Sequence, residues 1–224
     1  MRIKTSKKIV AAALAVSLAM VPFVQAAPQL SHVFGHSKSN TDMSASQDAL
    51  VKDFVGSQKE VLTAQALLSR AYGMKDQAEQ LEAEQKALSS GSVDESSLKK
   101  TVEISKAANK KIAEKQAKQV KLNAEEKKAY SASLPHFAKG VLGTRKTVQE
   151  AEKFASSVKS SAGGGLAGLA SGFGKLKEGL YIAKATPGYS KELYTVFKKT
   201  VMIGKKNGVT VPANATDALG GLGE

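Results

Sequence analysis

The chain has 224 residues, no cysteine, no tryptophan, 24% charged residues and a formal net charge of +13. The lack of cysteine excludes a disulfide framework, thiolate chemistry and a cysteine-linked lipid anchor, so stability must come from burial alone. A chain of this length buries a sizeable core when it packs into one or two units.

Residues 1–26 have the three parts of a secretory signal peptide. Arg2, Lys4, Lys7 and Lys8 come first with no acid among them, an apolar run from Ile9 to Val24 follows, and Val24-Gln25-Ala26 supplies the small residues of a cleavage site. The apolar run is short for a membrane span and is interrupted by Pro22. The expectation is therefore an exported protein, periplasmic or secreted, cleaved near Ala26. Removing those four cations leaves +9 on the remainder. That charge is uneven: residues 27–98 carry six Lys/Arg against ten Asp/Glu, residues 99–128 ten against four, and residues 129–224 thirteen against six. Such a division suits helices that pair within the molecule, or a basic face turned toward a polyanion.

Residues 27–40, rich in Ser, His and Gly, read as a flexible lead-in. The predicted bundle domain covers 41–208. Thr41, Asp42 and Ser44 offer N-caps, and Leu50, Val51, Phe54, Val55, Val61, Leu62, Leu68 and Tyr72 recur at helical spacing. Gly73 weakens or bends this helix, and Ala78, Leu81 and Leu88 carry a thinner stripe to the Ser89-Ser90-Gly91 break. Ser92 with Glu95 resembles a capping box. A lysine-rich helix is predicted from about Asp94 through Leu122, with Leu98, Val102, Ile104, Ile112 and Val120 as its sparse apolar stripe. Asn123 with Glu126 either caps a new helix or sits inside a continuous one, and Pro135 marks a helix boundary.

Beyond Pro135, Phe137, Val141, Thr144, Val148, Ala151, Ala155, Val158 and Ala162 alternate spacings of four and three, a coiled-coil-like seam of small residues. Extended, the register passes through Gly165, Leu169, Gly172, Leu176, Gly179 and Ala183. Thr186-Pro187-Gly188 is predicted to stop it, and Ser190 to cap a last helix that buries Leu193, Tyr194, Phe197, Val201 and Met202 and ends at Asn207-Gly208. The tail, 209–224, is expected to be loosely held. With no strand pattern and no repeat, the fold class is all-α: an elongated bundle of about four to five helices.

Two features are candidates for function. Gly164, Gly168 and Gly172 stand four residues apart, a spacing that puts them on one helix face, where a second backbone can approach closely or a membrane be met. The simpler alternative is a turn at Gly163–Gly165 with tight packing after it. Lys99, Lys100, Lys106, Lys110, Lys111, Lys115, Lys118 and Lys121 form a basic face suited to anionic surfaces; the simpler alternatives are a solvated helix face or pairing with the acidic first helix. Nucleic acid is not the expected partner, because beyond the leader arginine occurs only at positions 70 and 145, and residues 73–129 hold no aromatic for base stacking. His32 and His36 are four apart without a third ligand, and His136 stands alone beside Pro135, so no metal is expected. No nucleophile elbow, triad order, P-loop or paired carboxylate in a cleft is present, and no cofactor motif. The expected function is a non-catalytic helical binding or scaffold protein of the bacterial envelope, with an envelope protein or anionic lipid as partner. The alternatives are a membrane-active or self-assembling protein, including a homo-oligomer, that uses residues 161–180, and a periplasmic enzyme without a recognisable motif.

Overall fold

Asn40–Ala71 forms the first and most central helix, α1, and the buried residues within it follow the predicted stripe: Leu50, Phe54, Val61, Leu62 and Leu68. The computed structural model describes residues 40–91, 93–162, 174 and 176–222. They make α1, α2 (Lys75–Ser90), α3 (Glu95–Ala117), α4 (Ala124–Ala162), α5 (Lys177–Lys206) and α6 (Ala213–Leu222). The protein is all-helical, with no strand among the described residues. All these helices belong to one compact unit, Ser37–Glu224.

Helix ends follow local chemistry where glycine or a cap is available. Gly73 does not bend a helix but terminates one: with φ of 70° it takes the left-handed position after α1. Met74 N donates to Ser69 O at 2.8 Å and Gly73 N to Arg70 O at 3.0 Å, the paired bonds of a Schellman motif. The same motif closes α5, where Gly208 has φ of 67°, Val209 N reaches Gly204 O at 2.9 Å and Gly208 N reaches Lys205 O at 3.1 Å. At the start of α3 the capping box is built by Asp94 and Ser97, since Asp94 Oδ1 accepts from Ser97 N at 2.8 Å. Ser92 lies outside the described residues. Asn123 and Glu126 do cap a new helix, α4, each side chain accepting from the other's backbone N–H at 3.0 and 2.7 Å.

Three expectations failed because packing outweighed local propensity. Pro135 lies inside α4 and Pro187 inside α5, so neither ends a helix, and Ser190 is an interior residue of α5. A proline inside a helix costs about 3 kcal/mol. Tyr130, Leu134 and Phe137 are fully buried on the two sides of Pro135, as are Ile182, Tyr189 and Leu193 around Pro187, and each large apolar side chain so buried contributes roughly 1.5–3 kcal/mol. Met202, expected in the core, is 61% exposed, because the buried face of α5 runs through Leu193, Phe197, Thr200, Val201 and Gly204. The lysine-rich helix stops at Ala117, which leaves Val120 exposed in the turn that follows.

The tail also differs from expectation: Ala213–Leu222 is α6, packed on α4 with Ala215 and Ala218 buried. The Ser131 hydroxyl holds Thr210 O at 2.6 Å and Arg145 Nη1 holds Gly221 O at 2.7 Å, so both ends of the tail are tied to α4.

Helix α1 packs most extensively on α4 and runs antiparallel to it, pairing Asp53 with Lys146, Glu60 with His136 and Tyr72 with Tyr130. Phe137 of α4 in turn meets Phe197 of α5, with ring centroids 5.5 Å apart. Helix α3 joins this apolar core through a polar seam. Gln65 Nε2 donates to Ser105 O at 3.0 Å and to Asn109 Oδ1 at 2.7 Å, and the Tyr189 hydroxyl is shared between Ser105 Oγ at 2.6 Å and Gln58 Oε1 at 2.8 Å. Buried polar groups in such a chain favour one register of α3 over others, since a slip strands each of them without a partner.

Candidate functional site: the basic end of the bundle

Ends of α3, α4 and α5 meet around Tyr130, with the C-terminal end of α1 beside them. Its hydroxyl donates to Thr200 O of α5 at 2.7 Å, while Gln116 Nε2 of α3 reaches the Tyr130 hydroxyl at 3.3 Å and Thr200 Oγ1 at 3.2 Å. Tyr72 packs edge-on against its ring, with centroids 5.9 Å apart. Burial pushes the Tyr130 phenol well above its ordinary range, as it does the Tyr189 phenol in the polar seam, so both act as neutral donors. This buried knot fixes the C-terminus of α3, the N-terminus of α4 and the C-terminus of α5 side by side.

The turn joining α3 to α4 lies over the knot. Lys118 caps α3, Gln119 takes a left-handed conformation with φ of 48°, and Leu122 is buried beneath. The lysines predicted to form one face therefore divide into two sets. Lys99, Lys100 and Lys106 belong to the other half of α3 and are paired, with Glu95 at 2.6 Å, Glu84 at 3.0 Å and Glu192 at 3.7 Å; Lys99 also lies 5.8 Å from the centre of the Tyr181 ring. Lys110, Lys111, Lys115, Lys118 and Lys121 approach or form the end and have no ion pair among the described residues.

The structure adds lysines that sequence reasoning did not join to them. Lys127 and Lys128 stand on the first turn of α4, and Lys198, Lys199, Lys205 and Lys206 on the last turns of α5. A Cβ on Gly208 would lie 3.5 Å from Lys127 Nζ, which places the start of α4 against the end of α5. Acids at these three ends are few: Glu114, Glu125 and Glu126, the last engaged in its cap. A cation in the last turn of a helix offsets the macrodipole, and this accounts for Lys115, Lys205 and Lys206. It does not account for Lys118, Lys121, Lys127, Lys128 or the Lys198-Lys199 pair. The only sequence signal that linked these segments was the basic surplus of each.

Other surfaces are less one-sided. A groove of about 770 Å³ beside α1 has Val51, Val55 and Val93 in its lining, and its charges balance, Lys52, Lys59, Lys139 and Lys146 against Asp48, Asp53, Glu60 and Glu178. There the Lys146 ammonium, 2.8 Å from Asp53, holds that carboxyl below its ordinary range. His136 is bonded to Glu60 at 2.6 Å and bridges α4 to α1. No group of three His, Cys, Asp or Glu among the described residues could hold a metal ion, and no helix there is long and apolar enough to cross a membrane. Gly164, Gly168 and Gly172, like His32 and His36, lie outside the described residues.

Comparison with protein-family models, with curated proteins and with solved structures finds no match.

Proposed function

We propose that this chain is an exported, non-catalytic helical binding protein of the bacterial envelope that holds anionic surfaces with the basic end of its bundle. The observation that carries the reading is the convergence of exposed lysines from α3, the α3–α4 turn, α4 and α5 without ion pairs, beside lysines of α3 that are paired. Unpaired cations grouped on a rigid support repel one another, and a polyanion relieves that repulsion while releasing its own counterions. The signal-peptide pattern of residues 1–26 supports delivery to a compartment bounded by anionic lipids.

The test is retention on an anionic matrix and on anionic vesicles over a range of salt, for the native chain and for a variant with Lys118, Lys121 and Lys205 changed to Gln. Each lysine near an anionic surface is worth about 1 kcal/mol, so the triple variant is expected to bind roughly two orders of magnitude more weakly. A matched variant at Lys99, Lys100 and Lys106 is expected to lose much less. Equal losses from the two variants, or no retention of the native chain at low salt, would sink the reading.

A further inference from the structure

Among the described residues the large hydrophobic side chains left exposed are Val120, Leu142 and Met202, and two of these three stand in the basic end. Met202 is the most exposed, at 61%. Helical spacing puts it on one face of α5 with Lys198 and Lys199 one turn before and Lys205 and Lys206 one turn after. The stretch Leu193–Lys206 contains no acid. The opposite face of the same turns is locked into the core by Phe197, Thr200 and Val201, so the lysine and methionine face cannot roll inward. At the α3–α4 turn the arrangement recurs on a smaller scale: Val120, 38% exposed, lies between Lys118 and Lys121.

A soluble polyanion, phosphate chain or nucleic acid, needs the cations and gains nothing from a long apolar side chain standing among them. A bilayer surface uses both, since lysines hold anionic head groups while an apolar side chain between them enters the boundary of the acyl chains. Lysine stems are long enough to reach up to the head groups as the backbone settles onto the surface. We infer that the last turns of α5 form a peripheral membrane-docking face, with Met202 inserted into an anionic bilayer among Lys198, Lys199, Lys205 and Lys206, and Val120 a second, smaller contact. This rests on the anionic-surface function proposed above and narrows its partner to a lipid bilayer.

The chain has no cysteine, so Met202→Cys creates a single labelling position, and Leu142→Cys, on the middle of α4 away from the basic end, provides a control. Each full-length variant is labelled with an environment-sensitive dye and mixed with phosphatidylglycerol-rich vesicles, phosphatidylcholine vesicles or soluble polyphosphate. The expected result is a blue shift with phosphatidylglycerol, quenchable by lipid-borne quenchers, at position 202 and none at 142. Unlabelled Met202→Ser is expected to bind those vesicles about tenfold more weakly and polyphosphate as well as the native chain does. Vesicle binding in which position 202 stays aqueous and Met202→Ser binds normally overturns the insertion and leaves the anionic-surface function standing. Binding to polyphosphate but not to vesicles overturns the bilayer as partner with the same consequence. Failure to bind either anion overturns both.

Discussion

Helices α1 and α4 come close together at Gly140, and alanine at Gly140 of α4 and at Gly56 of α1 should have opposite effects. A Cβ built on Gly140 falls 2.6 Å from Val61 Cγ2, 3.0 Å from Val61 N and 3.3 Å from Ser57 O, whereas one built on Gly56 meets nothing within 4 Å. Both glycines lie inside helices, where alanine is favoured over glycine by about 0.8–1 kcal/mol. Gly56→Ala should therefore gain most of that. At position 140 two of the three neighbours are backbone atoms of α1, so the helices must move apart, and overpacking of this kind costs about 1–3 kcal/mol. Gly140→Ala should lose up to about 2 kcal/mol after the propensity gain, because Val61 and Val141 are core residues that must shift with it. Urea unfolding followed by circular dichroism measures both, and for a chain of this size the difference also appears as several degrees in Tm. If Gly140→Ala stabilised the protein as much as Gly56→Ala, the α1–α4 contact described above would be wrong.

Tyr189→Phe removes the hydroxyl shared by Ser105 and Gln58 and leaves two buried polar groups short of a partner, so a loss of about 1–3 kcal/mol is expected in urea unfolding. Stability should also fall in alkali. The Tyr130 and Tyr189 phenols are raised in the folded state by burial above the 10.0 of a free phenol, so the folded chain keeps protons that the unfolded chain releases. Their contribution is complete below about pH 10 and declines as pH rises beyond it, toward the folded values. Urea midpoints measured across that range should drop for the native chain and less steeply for Tyr130→Phe/Tyr189→Phe; an equal slope would refute the assignment. Arg145→Ala, which frees Gly221 O from its partner at 2.7 Å, should raise amide exchange in α6 while leaving α1 and α4 protected, as mass spectrometry of exchanged peptides would report.

Where the sequence could be read, the reason was periodicity or a cap. Leu50, Phe54, Val61, Leu62 and Leu68 lie in the core, as their spacing requires, and Asn123 with Glu126 caps α4 through two local hydrogen bonds. The prolines misled because the rule applied to them is local, while the burial that carries α4 through Pro135 and α5 through Pro187 comes from contacts distant in sequence. Helix α6 was missed because its buried face is made of Ala215 and Ala218, which a search for large apolar residues passes over. The polar seam was equally hidden, since Gln58, Gln65, Ser105 and Asn109 look like solvated residues until three helices are placed around them.

The basic end shows why charge counted along a chain is a poor guide to charge in space. Counted in sequence, the surplus at 99–128 reads as one continuous face, whether solvated, paired with the acidic first segment or turned toward a polyanion. In the fold α2 and α3 lie alongside each other, and Glu84 of α2 reaches Lys100 while Glu192 of α5 reaches Lys106. Neutralisation is thus confined to the first half of α3. The second half runs on past α1 and α2 to the end of the bundle, where its neighbours include the first turn of α4 and the last turns of α5, both lysine-rich. Helix direction decides this outcome: α3 and α5 both end there, so each brings the cations that favour its C-terminus, and the dipoles that tolerate those cations also concentrate them. The repulsion that results is weak for exposed groups and screened by salt, so the fold can carry it. An anionic surface presented to that end meets helix ends whose backbones are already fixed by the Tyr130 knot, so little backbone ordering remains to oppose association.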